Sequence, residues 1–396
     1  MNTSEAIVEL AGTHASYDIS PVRTKQDKAA FLELPFRAYR SDPNWRAPLR
    51  MMQADQLSPK KNLSLAQMTY ELFLARKGGE VVGRIAAVVN PAHLELYKDE
   101  TGQFGFLDTL HPDPDLVSTL LAKAEAWLSE RGMKRMTGPF SFSINEECGL
   151  LIDGFDTPPM ILMPHGRPDY VASYENAGLS KVKDTVAFHF RFPKEYSLPP
   201  ILTRIIKACH EYPDLHIRHL NMSNFKEDVG VLLSDIFNDA WALNWGFIPF
   251  TNEQIEHMTK ELRPLVNAKS FWIAEYKGKP IAFALFLPDL NELAEGLDGR
   301  LLPFGWAQLL YRLKIRGPKR ARLPLAGLRR EYHKTRIGLL AAITSFEAAI
   351  RAQYDQGVEE IESSWVLEDN DDLISMCRTY GMEVYKTYRI FEKDIE

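Results

Sequence analysis

Two segments of the chain alternate apolar and polar residues on either side of a glycine-containing turn, which is the pattern of a β-hairpin. They are LFLARKGGEVVGRIAAVVNP and FWIAEYKGKPIAFALFLPD, and Ala274 in the second follows Ala75 in the first by 199 positions. A second pair of similar segments, YENAGLSKVKDTVAFHF and CRTYGMEVYKTYRIFEK, has an offset of 203 positions between Gly178 and Gly381. Two nearly equal offsets indicate one structural unit used twice.

Between these landmarks, each half of the sequence predicts a strand and then a long helix. The helices are DPDLVSTLLAKAEAWLSERG and IGLLAAITSFEAAIRAQYDQG, and each ends at a glycine, a common C-cap. A further strand follows in each half, KRMTGPFSFSI and EEIESSWVLED. This order predicts an α/β fold of two tandem units, each a mixed β-sheet flanked by helices. The predicted first unit is residues 1–195 with an N-terminal extension, the linker helix region is 196–212, and the second unit is 213–396.

Composition adds limits on location and partners. The chain has 396 residues, of which 45% are hydrophobic, and a net charge of -6, which argues against general nucleic-acid binding. Its three cysteines, Cys148, Cys209 and Cys377, form no CxxC pair and suit a reducing compartment. The N-terminal sequence MNTSEAIVELAGT lacks the features of an export signal, and no run of about 18 apolar residues predicts a membrane span. We therefore expect a cytoplasmic protein, and the oligomeric state stays open.

The positive charge is concentrated between Arg312 and Arg336, where ten Lys or Arg residues accompany a single acid, Glu331. At the end of this region, Lys334, Thr335 and Arg336 precede a long apolar helix. Because a helix start exposes unpaired N–H groups and a partial positive charge, these residues predict an anion site that suits phosphate. The alternative is an ordinary amphipathic helix with a solvated basic end.

The element order, with a polar turn before the central helix, resembles the GNAT acyltransferase fold, in which that turn binds the pyrophosphate of coenzyme A. The family pattern is Gln or Arg, two residues, Gly, one residue, then Gly or Ala. Here it aligns with His333 to Gly338, and Arg336 replaces one glycine. The resemblance implies a set of cofactor-binding residues: Leu328, Arg330, His333, Lys334, Thr335, Arg336, Ile337, Gly338 and Asn370.

The two units differ in how well they match this family. In the second, Cys377 stands where the family has a thiolate-protonating tyrosine. In the first, Tyr174 precedes Gly178 as the family requires, but the turn LHPDPDLV carries Asp113 and Asp115, whose charge repels phosphate. We therefore expect acyl-CoA to bind the second unit alone.

Nearly the whole chain resembles the tandem GNAT-like proteins that include the bacterial ceramide synthases. Seven stretches carry this resemblance: FRAYRSDPNW, GQFGFLD, GPFSFSINEECGLLIDGFDTPP, NDAWALNWGFIPFT, LPDLNE, SWVLEDN and YRIFEK. The resemblance implies transfer of a long-chain acyl group from acyl-CoA to the amine of a sphingoid base, with 3-oxosphinganine as the expected acceptor. Two alternatives remain: a catalytically silent protein that binds acyl-CoA or lipid, and a GNAT enzyme that acts on another amine.

Forming an amide from a thioester requires an uncharged amine and a proton for the departing thiolate, but it requires no metal. A carboxylate within reach of the amine is therefore expected. Glu362 and Glu368 lie an even number of positions apart on one predicted strand, hence on one face, and are candidate bases. Glu368 has the alternative role of capping the next helix. Cys377 is a candidate acid, or simply a small buried hydrophobe.

The aromatic segment NDAWALNWGFIPFT falls where GNAT enzymes close over the acceptor, so its aromatic residues form either a substrate channel or a packed core. The candidate substrate-binding residues are Trp241, Asn244, Trp245, Phe247 and, on a Pro-Gly loop, His165. His165 is either a polar gatekeeper or a plain loop residue. The loop with Asn145, Glu146 and Glu147 is predicted to reach across from the first unit.

The segment from Trp306 to Arg320 mixes large apolar residues with Arg and Lys. This composition is typical of a helix that lies in the interface of an anionic membrane. Because a fatty acceptor resides in a bilayer, we expect peripheral contact with the inner face of the cell membrane. The alternative is a helix that packs its apolar face inward and solvates its charges.

Overall fold

The computed structural model describes residues 17–396, so the N-terminal sequence used to argue against an export signal lies outside the described residues. The first unit alternates strands and helices in chain order. Its strands are β1 (Asp18–Pro21), β2 (Thr69–Lys77), β3 (Glu80–Val89), β4 (Thr101–Thr109), β5 (Arg135–Gly138), β6 (Leu150–Asp153) and β7 (Ser180–Arg191). Its helices are α1 (Lys25–Ala38), α2 (Arg50–Gln56), α3 (Pro91–Tyr97), α4 (Pro114–Ser129) and α5 (Asp169–Asn176).

The rest of the chain repeats the same order after a connecting helix, α6 (Pro200–Cys209), which lies in the predicted linker region. The strands are β8 (Leu215–His219), β9 (Phe271–Tyr276), β10 (Lys279–Pro288), β11 (Arg320–Leu328), β12 (Glu360–Leu367) and β13 (Glu383–Asp394). The helices are α7 (Phe225–Val231), α8 (Asn238–Trp241), α9 (Asn252–Leu262), α10 (Leu290–Leu293), α11 (Gly305–Tyr311), α12 (Arg336–Asp355) and α13 (Asp371–Thr379).

The predicted hairpins and long helices are confirmed. Strands β2 and β3 pair antiparallel around Gly78 and Gly79, whose φ angles of 59° and 85° suit glycine. Strands β9 and β10 also pair antiparallel, and Lys279 lies opposite Tyr276 at the turn end of this hairpin. The predicted strand KRMTGPFSFSI is shorter than expected because it ends at Gly138, before a proline that cannot donate to a ladder.

All of these strands belong to one 13-stranded mixed sheet, which confirms the predicted α/β class. Its order is β1-β2-β3-β4-β5-β13-β7-β12-β11-β10-β9-β8, with β6 paired to β13. The last strand of the chain, β13, therefore pairs with β5 of the first unit, whereas β7 of the first unit pairs with β12 of the second. The units have exchanged their final strands, so the sheet runs unbroken across the predicted boundaries at 195 and 213, which themselves stay a prediction.

Helices cover both faces of this sheet, because alternate residues of each strand enter different cores. In β2, Phe73 and Ala75 pack in the cluster that contains α4, whereas Leu72 and Leu74 pack in the cluster of Phe31 on α1. The second unit has the same arrangement: β10 presents alternate residues to the α12 side and to the side of α7 and α9. This sandwich fixes the ends of β11 and β12, where the candidate site lies.

Candidate active site

The second unit has a sharp polar turn at the front of its long central helix. Thr335 caps α12 by accepting a hydrogen bond from the Gly338 amide at 3.0 Å, and Lys334 before it has a φ of 57°. A Cβ on Gly338 would overlap the carbonyl oxygen of Tyr332, so only glycine lets the turn fold back so tightly. The retained family glycine therefore has a geometric reason.

Some of the charged and polar side chains near this turn have partners within the protein. Lys334 and Arg336 are exposed, and the Arg336 guanidinium lies 5.6 Å from the centre of the Tyr212 ring. Arg330 instead donates through Nε to Asp239 at 2.9 Å, and His333 Nε2 lies 2.9 Å from the carbonyl oxygen of Leu328. Lys334, Thr335 and Arg336 are thus the exposed residues at the helix start. Arg330 and His333 are also exposed but are engaged within the protein, and Leu328 and Ile337 are half-buried.

The equivalent helix start in the first unit is occupied by carboxylates. Asp113 caps α4 by accepting from the Leu116 amide at 3.0 Å, and Asp115 lies in the first turn. Tyr17 donates its hydroxyl to Asp113, and this hydrogen bond raises the pKa of Tyr17 to about 12. A phosphate at this helix start would meet negative charge.

The units also differ in how far their two central parallel strands stay paired, β4 with β5 in the first unit and β11 with β12 in the second. In the first unit, the β4–β5 ladder is extended by a hydrogen bond from the Phe140 amide to the Phe104 carbonyl, 2.9 Å long, and a Cβ on Gly105 would overlap the Phe140 carbonyl. The two backbones are therefore in direct contact. In the second unit, the β11–β12 ladder ends at the Leu323–Ser363 pair. Beyond that pair, β11 and β12 are no longer paired, and we call this unpaired stretch between the two strands the gap.

Two indoles line this gap. The Trp241 indole N–H donates to the Ala326 carbonyl on β11 at 2.9 Å, and its ring lies 5.4 Å, centre to centre, from Trp365 on β12. Trp245 packs in the small cluster of Phe140, Ile144, Cys148 and Ile390, at the junction of the two units. Phe247 is 2% exposed and belongs to the core around Phe237. Trp241 and Trp245 therefore lie beside the gap, whereas Phe247 is part of a packed core, the other possibility that the sequence left open.

Asn244 and His165 make different contacts. The Asn244 backbone accepts from the Phe247 amide at 3.2 Å and donates to the Trp241 carbonyl at 2.8 Å, so Asn244 shapes the aromatic loop. His165 Nε2 lies 2.7 Å from Asp42 Oδ2, and burial lowers the pKa of His165 despite that carboxylate. A role for either residue in substrate binding stays a prediction.

Glu362 is fully buried at the base of the gap, where β12 is still paired with β11. It lies opposite Arg322, whose Nε is 3.4 Å from Glu362 Oε1, and it accepts hydrogen bonds from the hydroxyls of Ser364 and Tyr385. Because Glu362 has no exposed surface, an amine does not reach it directly in this conformation. The partners Arg322 and Tyr385 were missed from the sequence, where they appear only as isolated polar residues within strands.

The predicted shared face of Glu362 and Glu368 is wrong. Opposite β7, Ser363 pairs with Phe188 but Val366 pairs with Val186, so β12 contains one extra residue there. Such a bulge shifts the alternation by one, and an even spacing across it no longer implies one face. Glu368 follows the strand, is exposed and lies 2.6 Å from Lys181 Nζ. A catalytic role for Glu368 stays a prediction without geometric support.

Cys377 and Asn370 lie on or beside α13. Cys377 is fully buried in the α12 core, and burial raises the pKa of its thiol to about 11. The side chain of Asn370 caps α13 by accepting from the Leu373 amide at 3.2 Å, which leaves its amide nitrogen for other partners. Cys377 is thus placed as a small buried hydrophobe and Asn370 as a helix cap. Proton transfer by Cys377 and cofactor binding by Asn370 stay predictions.

The loop after β5 reaches the second unit, as the sequence predicted. Asn145 Nδ2 donates to the Ile248 carbonyl at 2.8 Å. At the end of α3, the Tyr97 hydroxyl donates to the neighbouring Phe247 carbonyl at 2.9 Å. The loop therefore forms a wall against the aromatic segment that borders the gap.

A second buried group missed from the sequence is Lys386 on β13, which is 1% exposed and donates to the carbonyls of Gly154 and Thr157. Burial lowers the pKa of Lys386 to about 8. Its contacts tie the first unit's loop to the exchanged strand.

Within residues 17–396, no cluster of three or more His, Cys, Asp or Glu residues is arranged to hold a metal, and no helix has the length and apolar character that crossing a membrane requires.

Comparison with known proteins agrees with this architecture. No protein-family model matches the chain. The chain is 40% identical over 371 residues to Protein YghO of Escherichia coli, covering 94% of each chain. It is 38% identical over 385 residues to the bacterial ceramide synthase of Caulobacter vibrioides, covering 96% of this chain and 98% of that protein.

Solved structures show the same fold at low sequence identity. A tandem GNAT protein from the clavulanic acid biosynthesis pathway covers 96% of this chain and 99% of its own, with a TM-score of 0.57 and 12% identity. A GCN5-related N-acetyltransferase from Sphaerobacter thermophilus covers 96% of both chains, with a TM-score of 0.50 and 14% identity. The fold is therefore that of a tandem GNAT acyltransferase. The chain belongs to the tandem GNAT-like family that includes the bacterial ceramide synthase, and it is an acyltransferase.

Proposed function

We propose that this protein transfers a long-chain acyl group from acyl-CoA to the amine of a sphingoid base, with 3-oxosphinganine as the acceptor. The observation that carries the proposal is the cationic turn before α12, which follows β11, one of the two strands that border the gap. A phosphate-binding turn and a neighbouring gap are what a nucleotide thioester needs. The 38% identity to a bacterial ceramide synthase supports the choice of acceptor.

Acyl-CoA binds the second unit in this proposal. The amides at the start of α12 and the side chains of Lys334, Thr335 and Arg336 hold the phosphates, since a helix start favours anions and guanidinium suits phosphate geometry. Leu328, Arg330, His333, Ile337 and Gly338 keep the turn in shape. The amide nitrogen of Asn370, which donates to no other residue in the range 17–396, is proposed to donate to the cofactor from the other side of the gap. The first unit, with Asp113 at its helix start and a closed gap, serves as a scaffold.

In this proposal the thioester lies beside the contacting indoles of Trp241 and Trp365, above Glu362. We propose that Glu362 is a positioning residue: it holds Arg322 and the Tyr385 hydroxyl at the base of the gap. Trp241 and Trp245 line the acceptor's path, with Asn244, Phe247 and His165 supporting that wall. Glu368 and Cys377 remain candidates for proton transfer, but an ion pair with Lys181 and core burial give each a structural role already.

Peripheral membrane contact is proposed for the segment around α11. Its apolar side chains are unusually exposed, with Leu302 at 80%, Phe304 at 78% and Ile315 at 73%. The basic residues beside them are partly used within the protein: Arg312 donates to the Leu293 carbonyl at 2.8 Å, and Lys314 donates to the Pro264 carbonyl at 3.0 Å. Apolar insertion, more than attraction to anionic lipid, would then provide most of the membrane affinity.

The test is mass spectrometry of the products formed by purified protein, palmitoyl-CoA and a panel of long-chain and short amines. We expect an N-acyl product from sphingoid bases and little or none from short amines. Product from a short amine instead would favour a GNAT enzyme with another acceptor. Binding of acyl-CoA without any amide product would identify a catalytically silent lipid-binding protein.

A further inference from the structure

The loop between β5 and β6 carries two adjacent carboxylates, Glu146 and Glu147, to the junction of the two units. Its neighbouring residues fix it there: Asn145 donates to the Ile248 carbonyl at 2.8 Å, and a Cβ on Gly246 would lie 2.7 Å from Ile144 Cδ1. The backbone of the aromatic loop thus touches this loop closely. The carboxylates are held beside the wall that borders the gap between β11 and β12.

The two carboxylates have different partners. Glu146 accepts hydrogen bonds from Gln56 Nε2 at 2.8 Å and from Asn62 Nδ2 at 3.4 Å, so both of its oxygens are engaged. Glu147 accepts only a long hydrogen bond, 3.4 Å, from the Ser141 hydroxyl among the residues the structure describes. Both residues are half-buried, and Glu147 is the one with acceptor capacity to spare.

The surroundings of the pair disfavour charge. Burial raises the pKa of Glu146 to about 7, and it also raises the pKa of Glu147. Of the described residues, those that shift the pKa of Glu146 are Gln56, Asn62 and Glu147, none of which is a cation. The positive charges of Arg84 and Arg322 partly offset this rise for Glu147 and so favour its ionised, proton-accepting form. Glu146, which has no such cation, would be stabilised by a cationic ligand such as an ammonium group.

An independent observation points to a ligand in the same space. Tyr388 on β13 is fully buried, yet its hydroxyl has no hydrogen-bond partner in the described part of the chain. The charges that act on this hydroxyl are those of Glu362, Arg322 and Glu147. Because a buried hydroxyl rarely stays unpaired, a polar atom of a ligand or a water is expected to meet it. Tyr388 links the carboxylate pair to the base of the gap.

We propose that Glu147 accepts a proton from the acceptor's ammonium group and that Glu146, with Gln56 and Asn62, holds the polar head of the acceptor beside it. This inference rests on the proposed function, because it assigns the acceptor side of the same reaction. The acceptor class is a long-chain primary amine with a neighbouring hydroxyl or carbonyl group. The first unit then completes an active site whose acyl-CoA half lies in the second.

The proton balance of this step is simple. The ammonium group gives one proton to the Glu147 carboxylate, and the neutral nitrogen attacks the thioester carbonyl. The new C–N bond forms as the C–S bond breaks, and the nitrogen's second proton goes to the departing thiolate, which becomes the CoA thiol. Glu147 returns its proton to water. Glu362 cannot take this part in the present conformation because it has no exposed surface.

The test compares Glu147→Gln, Glu146→Gln and Tyr388→Phe with wild type in turnover, amine KM, CoA affinity and thermal midpoint. Glu147→Gln should lower kcat about 10²-fold or more while CoA affinity is unchanged. Its defect should shrink as pH rises toward the amine's own pKa, where the amine loses its proton without help. Glu146→Gln should mainly raise the amine KM. Tyr388→Phe removes an unpaired hydroxyl, so it should keep the thermal midpoint but lower turnover.

The groups that face Glu147 are Ser141, Arg84, Asp108, Arg322, Tyr388 and Glu146, and all of them are present in both the wild type and Glu147→Gln. The control is Glu130→Gln, an exposed carboxylate at the end of α4. If Glu147→Gln folds and keeps wild-type turnover at every pH, the inference is overturned. If Glu147→Gln misfolds, wild-type turnover in Tyr388→Phe overturns it. Absence of any amide product from the wild-type protein is a different result, since it rejects the proposed function itself.

Discussion

At the scale of single residues, charge at two helix starts distinguishes the units. Arg336 and Lys334 are exposed at the front of α12, whereas Asp113 caps α4 at the corresponding place. We expect Arg336→Glu to weaken CoA binding strongly, because it puts a like charge beside the phosphates. Titration calorimetry should give one CoA site per chain in the wild type. Lys25→Glu, which alters an exposed cation on α1, is the control, and an equal loss in that variant or two equivalent wild-type sites would argue against the assignment.

Glu347 on α12 gives a residue-scale prediction about pH. Burial raises the pKa of Glu347 from 4.5 to about 7, although the Tyr196 hydroxyl donates to it at 2.9 Å. Between these values the folded protein keeps the proton and the unfolded chain loses it, so this group's contribution to stability is complete below pH 4.5 and falls as pH rises toward 7. The difference is on the order of 3 kcal/mol.

Glu347→Gln should therefore flatten the dependence of the free energy of unfolding on pH in that window. Urea unfolding of both proteins at several pH values measures the effect. Identical pH slopes for the variant and the wild type would show that Glu347 is ionised in the folded protein already.

Single residues also show what the sequence could and could not predict. The cationic turn was predictable because Lys334, Thr335 and Arg336 are adjacent and the helix that follows them is strongly periodic. The environment of Glu362 was not, because Arg322 on β11 and Tyr385 on β13 meet it only after β13, β7, β12 and β11 pair. The loop of Glu146 and Glu147 was predicted to reach across, but its amide partners on and after α2 lie about 90 positions earlier.

At the scale of elements, the segment around α11 combines exposed apolar residues with basic residues that the protein partly uses itself. Replacing Phe304 and Ile315 by serine should weaken binding to vesicles at least about tenfold, since each would otherwise bury a large side chain. The thermal midpoint should not fall, because both are more than 70% exposed. Leu96→Ser, at an exposed leucine of the first unit, is the control.

Arg316→Ala should behave differently from these variants. Arg316 pairs with Glu292, so its loss should lower stability more than vesicle binding. Co-sedimentation with neutral and anionic vesicles measures binding, and the thermal midpoint measures stability. If the double serine variant partitions like the wild type, this face has no role at a membrane.

Helices and strands were predicted well where their alternation of apolar and polar residues is continuous along the sequence. They were predicted poorly where a bulge interrupts that alternation. The hairpins and the helices α4 and α12 follow from their periodicity and glycine boundaries. The bulge in β12 has no local signal, because it depends on how Ser363 and Val366 pair with β7. That single residue is why an argument from even spacing failed for Glu368.

At the scale of the whole molecule, strand exchange joins the two units into one sheet, so we expect them to unfold together. Ile390 on β13 is fully buried against residues of the first unit, and Ile390→Ala should cost about 2–5 kcal/mol. Hydrogen exchange should show reduced protection in β5 as well as in β7. Val384→Ala, at an exposed position of the same strand, is the control. Loss of protection confined to the second unit would contradict a shared cooperative fold.

The exchange itself could not be read from the sequence, although both final strands were predicted. Internal similarity implies two units, but it does not say which unit each final strand joins, since β7 and β13 have the same length and similar alternation. The pairing is decided by contacts hundreds of residues apart. The same long-range contacts bring Glu147 of the first unit near the gap of the second.

The most direct test of the account is a time course that measures CoA thiol and N-acyl product together, using palmitoyl-CoA and a sphingoid base. We predict that wild-type protein releases one thiol for each amide formed, and that thiol release requires the amine. Arg336→Glu should slow both processes together at subsaturating palmitoyl-CoA. Thiol release without amide, or tight acyl-CoA binding with neither product, would contradict the conclusion that this protein is an N-acyltransferase for long-chain amines.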